Sequence, residues 1–204
     1  MARAVYISHP EVVIDPAVAT PRWGLSEKGF LRARAFAARH PLPATAKIFS
    51  STERKALDLA HVLAEPAGLE IVADEAFGEN DRSSTGFLTP ELFEATADRF
   101  FAEPDTGPDG WESASDAQAR IVAAVRQALD TLPADRLAVF TGHGAVGTLL
   151  KCHCAGRAIA RSEDQRRIAH PGGGNVFVFS TDLSSIACDW TALEDFDPAA
   201  YGVL

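Results

Sequence analysis

The chain has 204 residues, of which 47% are hydrophobic and 23% charged, and its formal net charge is -9. These values fit an ordinary soluble globular protein, most simply one domain over 1–204, able to bury roughly 70% of its unfolded surface. The acidic balance excludes a general nucleic-acid or membrane surface, which needs a basic face, and no apolar stretch approaches the ~20 residues of a membrane span.

Met1 to Ile7 contains no charged-then-apolar leader and runs directly into a strand pattern, so a cytoplasmic protein is expected. Ala4-Val5-Tyr6-Ile7 is the first strand, and a proline-rich connection follows from Pro10 to Pro21. Leu25-Ser26 caps a helix containing Phe30, Leu31, Ala33, Phe36 and Ala37, which stops near His40-Pro41. Lys47 to Ser50 is a second strand. It is followed by a helix with Ala56, Leu59, Ala60 and Leu63 on one stripe, ended by Pro66 and Gly68. Leu69 to Ala73 is a third strand.

Phe77 to Trp111 breaks this rhythm. Its polar turn at Asn80-Asp81-Arg82-Ser83 precedes a helix from Pro90 to about Ala102, striped with Leu92, Phe93, Thr96, Phe100 and Phe101. We expect a cap-like insertion over about 80–112, beside the active-site edge of the sheet. A long helix from Ser115 to about Thr131 leads to a strand from Leu137 to Thr141 and a helix from Ala145 to Cys154. After a charged link, Arg157 to His170, the runs Val176 to Ser180 and Ser185 to Trp190 suggest an antiparallel hairpin at the sheet edge. The acidic tail beyond Trp190 is read as loosely packed. The alternation predicts an α/β fold: a three-layer α/β/α sandwich with a mostly parallel sheet, an antiparallel edge and a small helical cap insertion.

Three cysteines, Cys152, Cys154 and Cys188, make no disulfide framework, and the odd count fits a reducing compartment. Cys152-His153-Cys154 lies in a helical pattern, where residues two apart do not share a face, so no metal site is expected.

Two histidines stand just past strand-like runs: His9 in Ser8-His9-Pro10, and His143 in Thr141-Gly142-His143-Gly144. In an open α/β sheet, ligands bind outside the carboxyl ends of parallel strands, so the two imidazoles can converge on one ligand. A histidine nucleophile that attacks phosphorus needs cations and N–H donors around the phosphoryl oxygens, and an acid for the leaving oxygen. Ser50-Ser51-Thr52-Glu53-Arg54-Lys55 brings two cations to the first turn of a helix, and Glu79 in Phe77-Gly78-Glu79 is a candidate acid. Glu75 and Asp81 lie close to it in sequence. Gly172-Gly173-Gly174 precedes a strand and is read as a turn or a close backbone approach, not a phosphate loop.

These segments resemble the histidine phosphatase superfamily, also called phosphoglycerate mutase-like. Its pattern runs Arg-His-Gly, Leu-Ser/Thr-x-x-Gly, Ser-Ser-x-x-x-Arg-Ala, Leu-x-Glu and His-Gly. Here stand Ser8-His9-Pro10, Leu25-Ser26-Glu27-Lys28-Gly29, Ser50 to Ala56, Phe77-Gly78-Glu79 and His143-Gly144. Gly110-Trp111-Glu112-Ser113 is similar to the family's Gly-Glu-Ser segment with one residue inserted, and His170 to Asn175 to its last loop. The resemblance implies a metal-independent phosphatase hydrolysing a phosphomonoester through a phosphohistidine on His9. His143 would bind phosphate and Glu79 would donate the proton. The second arginine of the pattern falls on Lys55 by strict spacing, or on Arg54 if the turn shifts by one; the planar fork of Arg54 suits phosphate oxygens.

Ser8 stands where the family carries arginine, and Pro10, which has no N–H, where it carries glycine. Two donors are therefore missing, and reduced activity is expected, since losing one oxyanion donor can cost ~3 kcal/mol. Arg22 and Arg82 are the candidate substitutes. The implied partner is a small phosphorylated substrate or phosphate, with no cofactor, metal, nucleic acid or membrane. The alternative is a non-catalytic member that binds a phosphorylated ligand or a protein. A phosphoglycerate mutase and a metal-dependent hydrolase rank lower.

Overall fold

The computed structural model describes residues 2–133 and 135–203. Its sheet is built from β1 (Arg3–Ser8), β2 (Lys47–Ser51), β3 (Ile71–Asp74), β4 (Ala138–Gly142), β5 (Asn175–Ser180) and β6 (Ile186–Ala192), in the spatial order β3-β2-β4-β1-β5-β6. The first four strands run parallel, while β5 and β6 form the expected antiparallel edge. The helices are α1 (Glu27–Arg39), α2 (Arg54–Ala64), α3 (Pro90–Ala102), α4 (Ala114–Asp130), α5 (Gly144–Ala155) and the short α6 (Gln165–Ile168).

Central strands covered on both faces read as unbroken apolar runs, and β1 shows how the faces divide. Val5 and Ile7 join Val139, Val178, Phe36, Leu59 and Leu63 in the layer under α1 and α2. Ala4 and Tyr6 turn the other way, joining Phe140, Phe177, Ile121, Val125 and Leu149 under α4 and α5. The result is the α/β/α sandwich.

Ser26 begins α1 as its N-cap, its hydroxyl accepting the Gly29 N–H at 3.1 Å. The Glu11 carbonyl accepts from the Ser26 N–H at 2.8 Å, and a Cβ on Gly29 would stand 2.2 Å from that same oxygen. The Leu-Ser-x-x-Gly pattern is thus one contact: it pins the proline-rich loop against the start of α1.

The structure departs from expectation in two places. The charged link after α5 contains α6, started by the Asp164 carboxylate accepting the Arg166 N–H at 3.0 Å. The tail after Trp190 is packed: Leu193, Phe196 and Val203 are buried, and Phe196 stacks on Tyr201 with ring centroids 5.6 Å apart. Its acidic residues do not keep it in solvent because Glu194 pairs with Arg32 at 2.6 Å, and Arg39 donates to the Leu193 carbonyl at 2.7 Å.

Candidate active site

Strand register brings the two histidines together. Parallel pairing sets Ser8 opposite Gly142, so the next residues, His9 and His143, emerge side by side. Their ring centroids are 5.3 Å apart, with the planes 73° from parallel. The Tyr6 hydroxyl holds the His143 backbone, accepting from its N–H at 2.9 Å and donating to its carbonyl at 3.1 Å. Gly142 makes room for this: a Cβ there would stand 2.3 Å from the Tyr6 oxygen. The run Gly172–Gly174 is a close approach to the first strand. Gly174 donates to the His9 carbonyl at 3.0 Å, and Gly173 has a φ of 76°.

The His9 Nδ1 lies 2.8 Å from the Pro10 carbonyl. A carbonyl only accepts, so Nδ1 carries the proton and the Nε2 lone pair is left free. Burial, reinforced by the Lys55 charge, lowers the His9 pKa to about 4, which keeps the ring neutral at physiological pH. His143 is fully buried, and neither of its ring nitrogens has a hydrogen-bond partner among the described residues. Burial pushes its pKa well below the ordinary histidine value, against the pull of Glu53.

Glu79 reaches the same place from the loop after β3. Its carboxylate accepts from the N–H groups of Val146 at 3.1 Å and Ala145 at 3.3 Å, in the first turn of α5. Burial raises its pKa, the effect of those donors and of Arg82 notwithstanding. Arg120 of α4 anchors the loop, donating to the carbonyls of Ala76 and Gly78 at 3.0 Å each and of Glu79 at 3.2 Å. Glu112, in the Gly-Trp-Glu-Ser segment, holds that guanidinium at 2.7 and 2.9 Å.

Glu53 and Arg120 were not singled out by sequence reasoning. Glu53 Oε1 accepts the Glu79 N–H at 3.0 Å and lies 3.4 Å from His143 Nε2, while Oε2 bonds Lys55. Against burial, the Lys55 ammonium and the Glu79 N–H lower its pKa to about 2. A carboxylate set between the strand-end serines and two cations was the available signal. Arg120 sits in a helix pattern and gives none.

The structure brings Lys55, not Arg54, toward the histidines. The Lys55 ammonium is buried, donates to the Thr20 carbonyl at 2.9 Å and bonds Glu53. Arg54 turns to solvent, its side chain 66% exposed and bound to Asp58 at 2.7 Å. Arg22 lies exposed in a turn and does not line the cleft. Arg82 does: its guanidinium lies over Phe93 and Trp111 at 5.2 and 5.6 Å, with no carboxylate partner among the described residues. Glu75 and Asp81 are outside this cavity. The cavity measures about 360 Å³ and lies between His9, Glu79 and Arg82 on one side and Phe93, Phe100 and Phe101 of α3 on the other. Phe100 and Phe101 are nonetheless almost wholly buried, so they are core as well as wall.

An imidazole with a free lone pair, a second neutral imidazole, a carboxyl with raised pKa and a guanidinium in the cavity wall suit reaction at a phosphoryl group. The family comparison agrees. Residues 19–184 match the model of the histidine phosphatase superfamily (branch 1), and the chain belongs to that family. Among solved structures, mycobacterial glucosyl-3-phosphoglycerate phosphatase is 25% identical with a TM-score of 0.71, over 93% of this chain and 96% of that one. The same phosphatase has been solved with VO3 and with inorganic phosphate. YhfR of Bacillus stearothermophilus is 20% identical with a TM-score of 0.74, over 92% and 95% of the two chains. Comparison with curated proteins gave no match. The family places the chain among phosphatase- and mutase-like enzymes. No helix among the described residues is long and apolar enough to cross a membrane.

Proposed function

We propose that the protein is a metal-independent phosphomonoesterase in which His9 carries the phosphoryl group. One observation supports this most: the Pro10 carbonyl fixes the His9 proton on Nδ1, 2.8 Å away, leaving Nε2 as an unprotonated nucleophile beside His143. Nε2 attacks phosphorus, forming the P–N bond as the P–O bond to the alcohol breaks. Glu79, whose pKa burial raises, gives its proton to the leaving oxygen. Water then attacks the phosphohistidine, Glu79 takes back a proton, and inorganic phosphate leaves. Arg82 in the cavity wall supplies positive charge beside the developing negative oxygens, with the Lys55–Glu53 pair behind the histidines. The relative bound to phosphate and vanadate supports a phosphate-sized ligand here.

The test is hydrolysis of p-nitrophenyl phosphate by the protein and by His9→Ala. Turnover that persists in EDTA and is lost in His9→Ala is expected. Ser8, in place of a first-strand cation, favours the second reading, a member that binds phosphate without turning it over. Phosphate binding with no detectable hydrolysis would establish that reading instead.

A further inference from the structure

Position 8 lacks the arginine of the family pattern, and the space around it is filled by an amide. Ser8 is buried, and its hydroxyl donates to Gln165 Oε1 at 2.5 Å. The same Oε1 accepts from Asn175 Nδ2 at 2.8 Å. Asn175 has no freedom to flip: its Oδ1 accepts the His170 N–H at 2.9 Å, and its Nδ2 donates to the His170 carbonyl at 2.9 Å. Backbone groups thus orient Asn175, Asn175 orients Gln165, and the Gln165 Nε2 must face the other way.

That direction is toward the reaction centre. A Cβ on Gly144, the residue after His143, would stand 2.1 Å from Gln165 Nε2. Gln165 and Gly144 line the cavity with His9 and Glu79. The Nε2 donates to no protein group among the described residues, whereas the amide oxygen is held twice. An amide fixed at its acceptor end with its donor end open to the cavity is a built donor.

We propose that Gln165 is the phosphoryl-binding donor standing in for the absent arginine, its Nε2–H bonding a non-bridging oxygen of the group transferred to His9. This rests on the phosphoryl-transfer reading above. The substitution trades a charged bidentate fork for one neutral donor, so phosphate is held less tightly. Gly144 keeps its small size because the amide passes over it.

The test uses orthovanadate, whose binding is followed by calorimetry and so needs no turnover, together with p-nitrophenyl phosphate kinetics. In Gln165→Met we expect vanadate affinity and kcat/KM to fall about ten- to hundredfold, as for a lost hydrogen bond to a charged group. Gln165→Glu keeps an oxygen for Ser8 and Asn175, so its melting temperature should stay near that of the parent while vanadate affinity falls further. Vanadate affinity within about twofold of the parent in either variant overturns the proposal. Should Gln165→Met fail to fold, Gln165→Glu alone decides, because a carboxylate cannot face a bound oxyanion without cost. Full turnover in His9→Ala would overturn the phosphohistidine reading instead, with the vanadate losses still reporting the donor.

Discussion

His9 is neutral for two reasons that act together, burial and the nearby Lys55 ammonium, and both lower its pKa toward about 4. Glu79 is displaced the other way, burial keeping its proton on above the ordinary carboxylate range. In the proposed mechanism, activity needs His9 deprotonated and Glu79 protonated. The profile of kcat/KM should rise near pH 4 and fall as Glu79 ionises, giving an acid-to-neutral optimum. Glu79→Gln should remove the falling limb and lower the maximal rate by about 10²- to 10⁴-fold, read from the same profile. A flat parent profile from about pH 5 to about pH 9 would contradict both assignments. At this scale the histidines and Glu79 were legible because each follows an apolar run by one or a few residues. Gln165 was not: it lies in a charged link, and only the turn of its amide by Ser8 and Asn175 makes it relevant.

Elements deliver these residues by register and by close approach. The pairing of Ser8 with Gly142 sets the histidine spacing, and Gly142 leaves room for the Tyr6 hydroxyl that holds His143. In Gly142→Ala the new methyl group meets that hydroxyl, and overpacking should cost about 1–3 kcal/mol in denaturant unfolding, with a fall in activity as His143 shifts. Unchanged stability would show that the close approach is not tight. Ser26→Ala removes the cap of α1 and should cost about 1 kcal/mol with little change in rate, since α1 contributes no group to the chemistry. Strand and helix identities were readable because the central strands are continuous apolar runs and the helices carry apolar stripes. α6 was hidden for want of such a stripe: it is one turn long and owes its start to the Asp164 cap.

Over the whole molecule, the acidic tail shows where composition misleads. Its charge suggested solvent, yet Arg32 and Arg39 neutralise and bind it while Leu193 and Phe196 enter the core under α1. A local window does not contain the partners that α1 supplies from 155 residues away. The buried histidines also tie fold stability to pH. Their folded pKa values lie below the unfolded value near 6.5, so unfolding takes up protons that the native state refuses. As pH falls from about 6.5 to about 5 the histidines lower stability, partly offset by Glu79, whose raised pKa lets the native state take up a proton, and His143→Gln should flatten the histidine slope. Glu53 and Glu11, each held at about 2, lose their contributions only at lower pH, as they are protonated below the ordinary carboxylate range. Denaturant midpoints across this window check the sign, and a parent midpoint that rises toward pH 5 would contradict it.

The proposed hydrolysis requires His9 to form a bond to phosphorus. Rapid quenching of the protein during turnover of a phosphomonoester, followed by peptide mass spectrometry under alkaline conditions, reads this directly. An acid-labile phosphoryl group on His9, absent in His9→Ala, is the expected result. Steady hydrolysis with no phosphoenzyme, or a phosphoryl group on His143, would contradict it.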